Sequence, residues 1–263
     1  ADTSLFTSFR AINWLEVKPY LKNAGADITD GAFGFSDTRK GKFIHHLTDN
    51  NWIQAVGKKS NFTIDPYIVA MGGALHEDST PAHYVSDIAA GLRIQGQYND
   101  KLSYSLTGTY QYNKFPKYIN DFLRDNQDYV PGVGKADQEK TGYSNTQFTG
   151  NLTWLAGKHL VVAAGYGKNF IGDGYRTLIL SDNASNNPYI RVQAKVWKLT
   201  YNVLFNKYTT PRFSWDNDII RKFSVMHYLG VNFSDKFQMA IYDNVNWITN
   251  DSFGQRGFDV AAR

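Results

Sequence analysis

The strongest constraint on the fold is a strict alternation of side chains between Leu102 and Asn113. Leucine, tyrosine and glycine take every second position, and serine, threonine, glutamine and asparagine take the positions between them. A period of two places these sets on opposite faces of a β-strand. Small polar side chains make a poor protein core but a good lining for water, whereas leucine and tyrosine suit lipid. The stretch therefore predicts a strand between water and lipid.

The same pattern recurs and predicts about nine strands. They cover 62–71, 84–98, 102–113, 143–154, 159–166, 223–233 and 237–247, with two more inside 189–206. Within 189–206 the alternation changes phase at Val196 and Trp197, which indicates either a β-bulge or a tight turn near Ala194 and Lys195. Elsewhere short turns and long loops alternate along the chain. Two strands joined by a tight turn inside 189–206 keep this alternation, whereas one bulged strand breaks it, so the turn is favoured.

These strands predict an all-β fold, a transmembrane antiparallel up-and-down β-barrel of an outer membrane, with short periplasmic turns and long outer loops. Bacterial barrels have even strand numbers, and 259–263 does not read as a strand, so we expect residues 61–263 to be part of a larger barrel. Residues 1–60 read as an irregular periplasmic segment. It includes a short amphipathic helix over 43–56, where apolar residues recur at roughly helical spacing.

The composition agrees with this fold and excludes several others. Aromatic residues reach 15%, although the mean hydropathy is only -0.43. No apolar run is long enough for a transmembrane helix. Cysteine is absent, which excludes disulfides and thiolate chemistry. The net charge of +4 comes from scattered lysines and arginines, so nucleic acid is not expected as a partner.

Motifs for catalysis, cofactors and metals are missing from the sequence. There is no nucleophile elbow, no zinc-protease helix and no phosphate-binding loop. The adjacent His45 and His46 have no further ligand at suitable spacing, and the segment from Asp182 to Asn186 lacks a terminal acidic ligand for calcium. We therefore predict a protein that is not an enzyme and has no cofactor or metal.

The segment 165–187 interrupts the alternation and is the candidate binding loop. Its glycines, amides and charged side chains require unusual backbone angles and many hydrogen-bond partners, which suits either a ligand site or a long connection pinned by its own polar groups. Asparagine, aspartate and arginine near tyrosine and tryptophan also suit sugars, although a barrel lumen uses the same residues to stay hydrated. The predicted glycan-binding residues are Lys168, Asn169, Asp173, Tyr175, Arg176, Asp182 and Asn183, with Arg256 and Asp259.

Several stretches also carry a family resemblance. They are FTIDP at 62–66, KFPKYIN at 114–120, VPGVG at 130–134, GKNFIGDGYRTLILSDNASNNPY at 167–189, WKLTY at 197–201 and RGFD at 256–259. In these, the chain resembles the Wzi family of capsule-assembly outer-membrane barrels, and more closely the RemB-like branch of gliding bacteria. The GKNFIGDGYR and LSDNA blocks are the most specific of these stretches.

The resemblance implies a role with surface polysaccharide, in the outer membrane of a diderm bacterium and in contact with its lipid. Wzi-like proteins hold capsule at the cell surface, whereas the relatives from gliding bacteria are associated with motility and type 9 secretion. The leading hypothesis is therefore a non-enzymatic barrel that binds or organises surface or capsular polysaccharide. The alternative is an accessory subunit of a secretion or gliding-motility complex that binds other envelope proteins. A passive porin is a third reading.

Overall fold

A computed structural model describes residues 9–10, 51–76, 83–172, 177–213, 219–234, 237–251 and 254–255. These residues form an almost entirely antiparallel β structure with one α-helix, which confirms the all-β prediction. The long strands are β3 (Ser60–Leu75), β4 (His83–Tyr98), β5 (Leu102–Lys114), β9 (Tyr143–Leu155), β10 (Leu160–Gly167), β12 (Asn187–Val196), β13 (Leu199–Phe213), β14 (Ile219–Ser234) and β15 (Phe237–Ile248).

The remaining elements are short. They are β1 (Phe9–Arg10), β2 (Ile53–Val56), α1 (Lys117–Asp125), β6 (Tyr129–Val130), β7 (Gly134–Lys135), β8 (Asp137–Gln138), β11 (Phe170–Ile171), β16 (Asn250–Asp251) and β17 (Gly254–Gln255).

The long strands pair as successive neighbours in one large sheet. The order is β15-β14-β13-β12-β10-β9-β5-β4-β3-β2, and β8 lies beside the start of β9. Every pairing along this path is antiparallel, so the topology is up-and-down. All nine predicted strands are therefore confirmed.

Short turns lie at one end of this sheet and long loops at the other. Between β4 and β5, Asn99 and Asp100 have φ angles of 51° and 50°, as a tight type I′ hairpin requires. Between β12 and β13, the turn falls on Trp197 and Lys198, and Trp197 has a φ of 53°. The predicted turn inside 189–206 is confirmed, three residues beyond the expected place. The loops 115–142 and 168–186 lie at the opposite end.

The predicted helix over 43–56 is wrong where the structure describes it. Ile53–Val56 is a strand that pairs with the start of β3, matching Ile53 to Ile64 and Val56 to Asn61. Pairing with a neighbouring strand overrides the helical spacing of the apolar residues, as tertiary contacts commonly do. The rest of the predicted helix, with His45 and His46, lies outside the described residues.

Residues paired across the sheet form rows of one chemical character. Directly paired residues of antiparallel strands share a face, so the register defines each row. A row on the polar face runs Thr63, Gln95, Ser105, Asn151, Gly165, Tyr189, Asn206, Ser224, Asn246. The adjacent row on the apolar face runs Phe62, Gly96, Tyr104, Leu152, Ala164, Ile190, Phe205, Val225, Val245.

Exposure is inverted relative to a sheet in water. On β5, Ser103 and Thr109 are 8% and 6% exposed, whereas Leu106 and Tyr110 are 40% and 56% exposed. Large apolar side chains are likewise exposed along the apolar face of most other long strands, although Val225 of β14 is fully buried. Soluble sheets bury the apolar face and expose the polar one. The side chains here point as predicted, with the polar set turned inwards.

The long loop after β5 has a small core of its own. Leu123 of α1 is fully buried against Val130, Ala136 and Tyr143, and Ile119 packs on the same cluster. This cluster fixes the β6–β7 hairpin against the sheet. Among the described residues, no helix is long and apolar enough to cross a membrane.

Candidate functional site

The segment after β10, the predicted binding loop, folds back on itself. The backbone NH of Ile171 donates a 2.9 Å hydrogen bond to the carbonyl of Leu180, so both ends of the loop approach each other. On its other side Phe170–Ile171 pairs with Phe9–Arg10. The loop is therefore fixed by backbone bonds on two sides.

The apolar residues of this loop pack on the polar face of the sheet. Ile171 is fully buried against Tyr189, Leu204, Met226 and Tyr228, which form an apolar cluster among the polar rows. Ile179 and Leu180 pack on the same cluster. Removing the side chains of Ile171, Ile179 and Leu180 wholly or partly from water contributes on the order of several kcal/mol to holding the loop over that face. The loop thus covers part of the polar face instead of extending away from the sheet.

Lys168 and Asn183 are brought together over Gly132 of the β6–β7 hairpin. A Cβ on Gly132 would lie 3.5 Å from Lys168 Nζ and 3.9 Å from Asn183 Oδ1. Gly132 has a φ of 75°, which favours glycine for conformational reasons as well. Two predicted site residues therefore lie against a third segment that the sequence did not connect with them.

Partial shielding from water changes the electrostatics of Lys168, although the residue as a whole is exposed. Partial loss of water around its ammonium group lowers the pKa of Lys168 below the usual 10.5, and the nearby negative charge of Asp182 opposes this change. Asp182 and Asn183 are also exposed. The predicted residues Lys168, Asp182 and Asn183 thus form one local group of complementary polar chemistry.

Asn169 is the most buried of the four predicted site residues that the structure describes. It is 4% exposed, and within the described chain neither Oδ1 nor Nδ2 of its amide has a hydrogen-bond partner. A buried amide that is not hydrogen-bonded costs about 1–3 kcal/mol per group. Both atoms of the amide are shielded from solvent.

The other predicted site residues lie outside the described part of the chain. They are Asp173, Tyr175, Arg176, Arg256 and Asp259.

Gln147 connects the two loops at this end of the sheet. Its Nε2 donates a 3.3 Å hydrogen bond to the carbonyl of Val133, and its Oε1 accepts a 3.1 Å hydrogen bond from Asn186 Nδ2. Asn186 Nδ2 also donates to the carbonyl of Phe148, at 3.1 Å. The β6–β7 hairpin and the segment 183–187 are therefore held at a fixed separation over β9.

A groove of about 730 Å³ lies between these two loops. Its walls combine aromatic rings, amide and hydroxyl groups, and two lysines. The residues that matter most for its chemistry are Tyr129, Lys135, Phe148, Asn183, Tyr208 and Lys222. Sugars present apolar C–H faces and dense hydroxyl groups, which this mixture can bind.

Sequence reasoning missed most of this groove. Of the predicted residues that the structure describes, only Asn183 lines it. Tyr129, Lys135, Tyr208 and Lys222 come from three other segments. The available signal was the alternation of short turns and long loops, which places the loops 115–142 and 168–186 at one end. It does not say which of their residues meet.

The described residues offer no group of three or more histidine, aspartate or glutamate side chains arranged to hold a metal ion. No protein-family model matches the chain, and neither the curated proteins nor the solved structures gave a match. The resemblance to the Wzi family therefore stays a prediction.

Proposed function

We propose that this protein is an outer-membrane β-barrel whose long-loop end binds and organises surface polysaccharide without catalysing a reaction. The observation that carries the proposal is the inverted polarity of the sheet, with Ser103 and Thr109 buried and Leu106 and Tyr110 exposed. An exposed apolar face over so many strands is stable only against an apolar solvent, and a bilayer supplies one.

Aromatic residues mark both ends of the apolar face, as they do at the two interfaces of a membrane barrel. Those near the short turns are Tyr98, Trp154, Trp197, Phe233 and Phe237, and those near the long loops are Tyr84, Tyr110, Phe148 and Tyr166. From Phe223 to Phe233 a strand rises about 33 Å, or about 25 Å of height at a tilt of about 40°. That height matches the hydrocarbon band of an outer membrane.

A bilayer does not tolerate unpaired strand edges, so the proposal includes closure of the sheet. The edge formed by β15 and the opposite edge, where β2 covers only the start of β3, would pair with further strands of a larger barrel. This agrees with the barrel of more strands that the sequence predicts.

Heat modifiability tests the membrane barrel. We expect the purified protein to require detergent and to migrate faster on a gel before boiling than after it, because folded membrane barrels resist the denaturing detergent. A protein that is monodisperse without detergent and whose mobility does not change on boiling would contradict the proposal.

The polysaccharide role rests on the groove and on the group around Lys168. We expect binding to arrayed bacterial polysaccharides to weaken in the double variant Lys168→Ala and Asn183→Ala. The matched control is Lys158→Ala with Gln238→Ala, which removes an ammonium group and an amide at the short-turn end. Equal binding by both variants and the unmodified protein would remove Lys168 and Asn183 from the site.

The second candidate function, an accessory barrel that binds other envelope proteins, is favoured by one pair of residues. His227 and Asp243 are paired across β14 and β15 on the apolar face, and Tyr201 lies beside them with its hydroxyl 2.7 Å from His227 Nδ1. His227 lies between Phe223 and Phe233, far from both ends. Ionisable residues at that depth are costly in lipid and commonly mark a protein contact.

Purification in mild detergent distinguishes these functions. A stoichiometric protein partner that is lost from His227→Leu with Asp243→Leu would support the accessory role. Polysaccharide that co-purifies with both the variant and the unmodified protein, in the absence of a protein partner, would support the first proposal.

A further inference from the structure

The groove between the β6–β7 hairpin and the segment 183–187 carries charge of one sign. Lys135 and Lys222 line it, and no carboxylate does among the described residues. A second groove of about 600 Å³ at the same end differs, because Arg124 and Lys140 share its walls with Asp128 and Glu139. The positive charge of the first groove is therefore a property of that site and not of the whole loop end.

Each lysine of the groove lies next to a tyrosine on a neighbouring strand. Tyr129 of β6 is paired in register with Lys135 of β7, and Tyr208 of β13 is paired with Lys222 of β14. Residues paired directly in antiparallel strands point to the same side, with Cβ atoms about 5 Å apart. The groove thus contains two copies of one arrangement, an aromatic ring beside an ammonium group.

Neither ammonium group has a partner among the residues that the structure describes. Within the described chain, Lys135 and Lys222 form no ion pair and donate no side-chain hydrogen bond, and both side chains are exposed. Lysines placed together without acidic neighbours repel each other weakly and attract anions. The cations are therefore available to a ligand.

We propose that this groove binds an acidic polysaccharide, whose carboxylates pair with Lys135 and Lys222 while sugar rings lie on Tyr129 and Tyr208. The inference rests on the proposed polysaccharide role and names the chemical class of the ligand. An aromatic ring next to a cation matches a uronic acid, which has an apolar ring face next to its carboxylate. Asn183 adds an amide for hydroxyl groups on the same wall.

Carboxyl reduction provides a matched pair of ligands for the test. Acidic bacterial polysaccharides are arrayed intact and after chemical reduction of their carboxylates to alcohols, which keeps the sugar rings and linkages. We expect the intact polymer to bind and its reduced counterpart to bind much more weakly. Binding of the intact polymer should also weaken as salt rises, because ion pairs in an open groove are screened.

The double variant Lys135→Gln with Lys222→Gln tests the residues. Exposed ion pairs are modest, so we expect roughly 5- to 30-fold weaker binding of the intact polymer and no change for the reduced one. The control is Lys101→Gln with Lys158→Gln, which removes the same charge at the short-turn end. Heat modifiability of both variants shows that they are folded.

Three results would overturn the inference. Equal binding of intact and reduced polymers would show that the groove takes neutral sugars, leaving the polysaccharide role in place. Unchanged binding of the intact polymer in the Lys135 and Lys222 variant would place the acidic ligand elsewhere. Binding of neither polymer by a folded barrel would contradict the polysaccharide role itself, and the inference with it.

Discussion

The ring of Tyr189 lies across Gly165 on the neighbouring strand. A Cβ on Gly165 would come within 3.0 Å of Tyr189 Cζ and would overlap the carbonyl oxygen of Gly150. Because glycine leaves this space open, the Tyr189 hydroxyl reaches Asn151 and accepts a 2.5 Å hydrogen bond from its Nδ2. The ring also supports Ile171, so Gly165 controls how the binding loop packs on the sheet.

Replacement of this glycine should therefore destabilise the loop and the strands below it. We expect Gly165→Ala to lower the free energy of unfolding by about 1–3 kcal/mol, since overpacking forces the ring or the backbone to move. The measurement is the midpoint of the heat-modifiable gel shift. Gly108→Ala is the control, because nothing lies within 4 Å of a Cβ there. Equal midpoints for the two variants would contradict this account of Tyr189.

A charge on the apolar face should cost far more than the same charge on the polar face. We expect Leu106→Lys to destabilise the protein in lipid vesicles by about 2–4 kcal/mol, the cost of a lysine near the middle of a bilayer. Ser105→Lys, the adjacent residue on the polar face, is the control and should be nearly neutral. Denaturant unfolding from vesicles measures both. If Ser105→Lys destabilised the protein more than Leu106→Lys, the assignment of the polar and apolar faces would be wrong.

Loss of Gln147 should loosen both walls of the groove. We expect Gln147→Ala to remove its hydrogen bonds to Val133 and Asn186, each worth about 0.5–1.5 kcal/mol, and to speed amide hydrogen exchange at 129–135 and 183–187. Gln111→Ala is the matched control. Gln111 is also on the polar face, next to Asn145, and no hydrogen bond of its side chain occurs within the described chain. Equal exchange in both variants would show that Gln147 does not hold the loops.

The amine of Lys168 should become reactive at lower pH than an ordinary lysine. Partial loss of water lowers its pKa, so the neutral, nucleophilic form is present at a pH where a lysine in an unstructured peptide is still protonated. Amine-specific labelling across alkaline pH, read by mass spectrometry, compares Lys168 with such a peptide lysine. Asp182→Asn removes the opposing charge and should lower the Lys168 pKa further. A labelling midpoint for Lys168 equal to that of the peptide lysine would contradict the lowered pKa.

The same lowered pKa sets the direction of the pH effect on stability. The folded state releases the Lys168 proton at a lower pH than the unfolded state, whose value is near 10.5. Between these two pKa values the unfolded state therefore binds more protons than the folded state. The free energy of unfolding consequently rises with pH until the pH reaches the pKa of Lys168 in the unfolded state. Lys168→Met should remove this rise, and denaturant unfolding at several alkaline pH values would detect its loss.

Much of the fold could be predicted because the alternation of polar and apolar side chains shows directly which residues share a face of a strand. The polar and apolar side chains from Leu102 to Asn113 were assigned to the correct faces, because each side chain contacts only one side of the sheet. The turn at Trp197 and Lys198 followed from the need for strands to reverse at alternate ends. Its position was wrong by three residues, because the alternation of β12 continues to Val196.

Contacts between distant segments could not be predicted in this way. Ile53–Val56 was expected to be helical, and only the neighbouring strand β3 decides otherwise. The groove depends on which side chains of the hairpin at 129–135, the segment at 183–187, β13 and β14 meet, and no local pattern encodes that meeting. Of the predicted site residues, Lys168 and Asn183 meet over Gly132, a residue without a side chain to signal its role.

The inverted rows of the sheet also bear on how the chain is made. In aqueous solution, the rows of serine, threonine and asparagine do not favour collapse of the chain into a compact core. The exposed apolar rows of separate molecules instead associate with one another through the hydrophobic effect. We expect newly synthesised chains to need a holding chaperone until a bilayer receives them. Maturation should then depend on delivery to that bilayer more than on any intrinsic speed of hairpin formation.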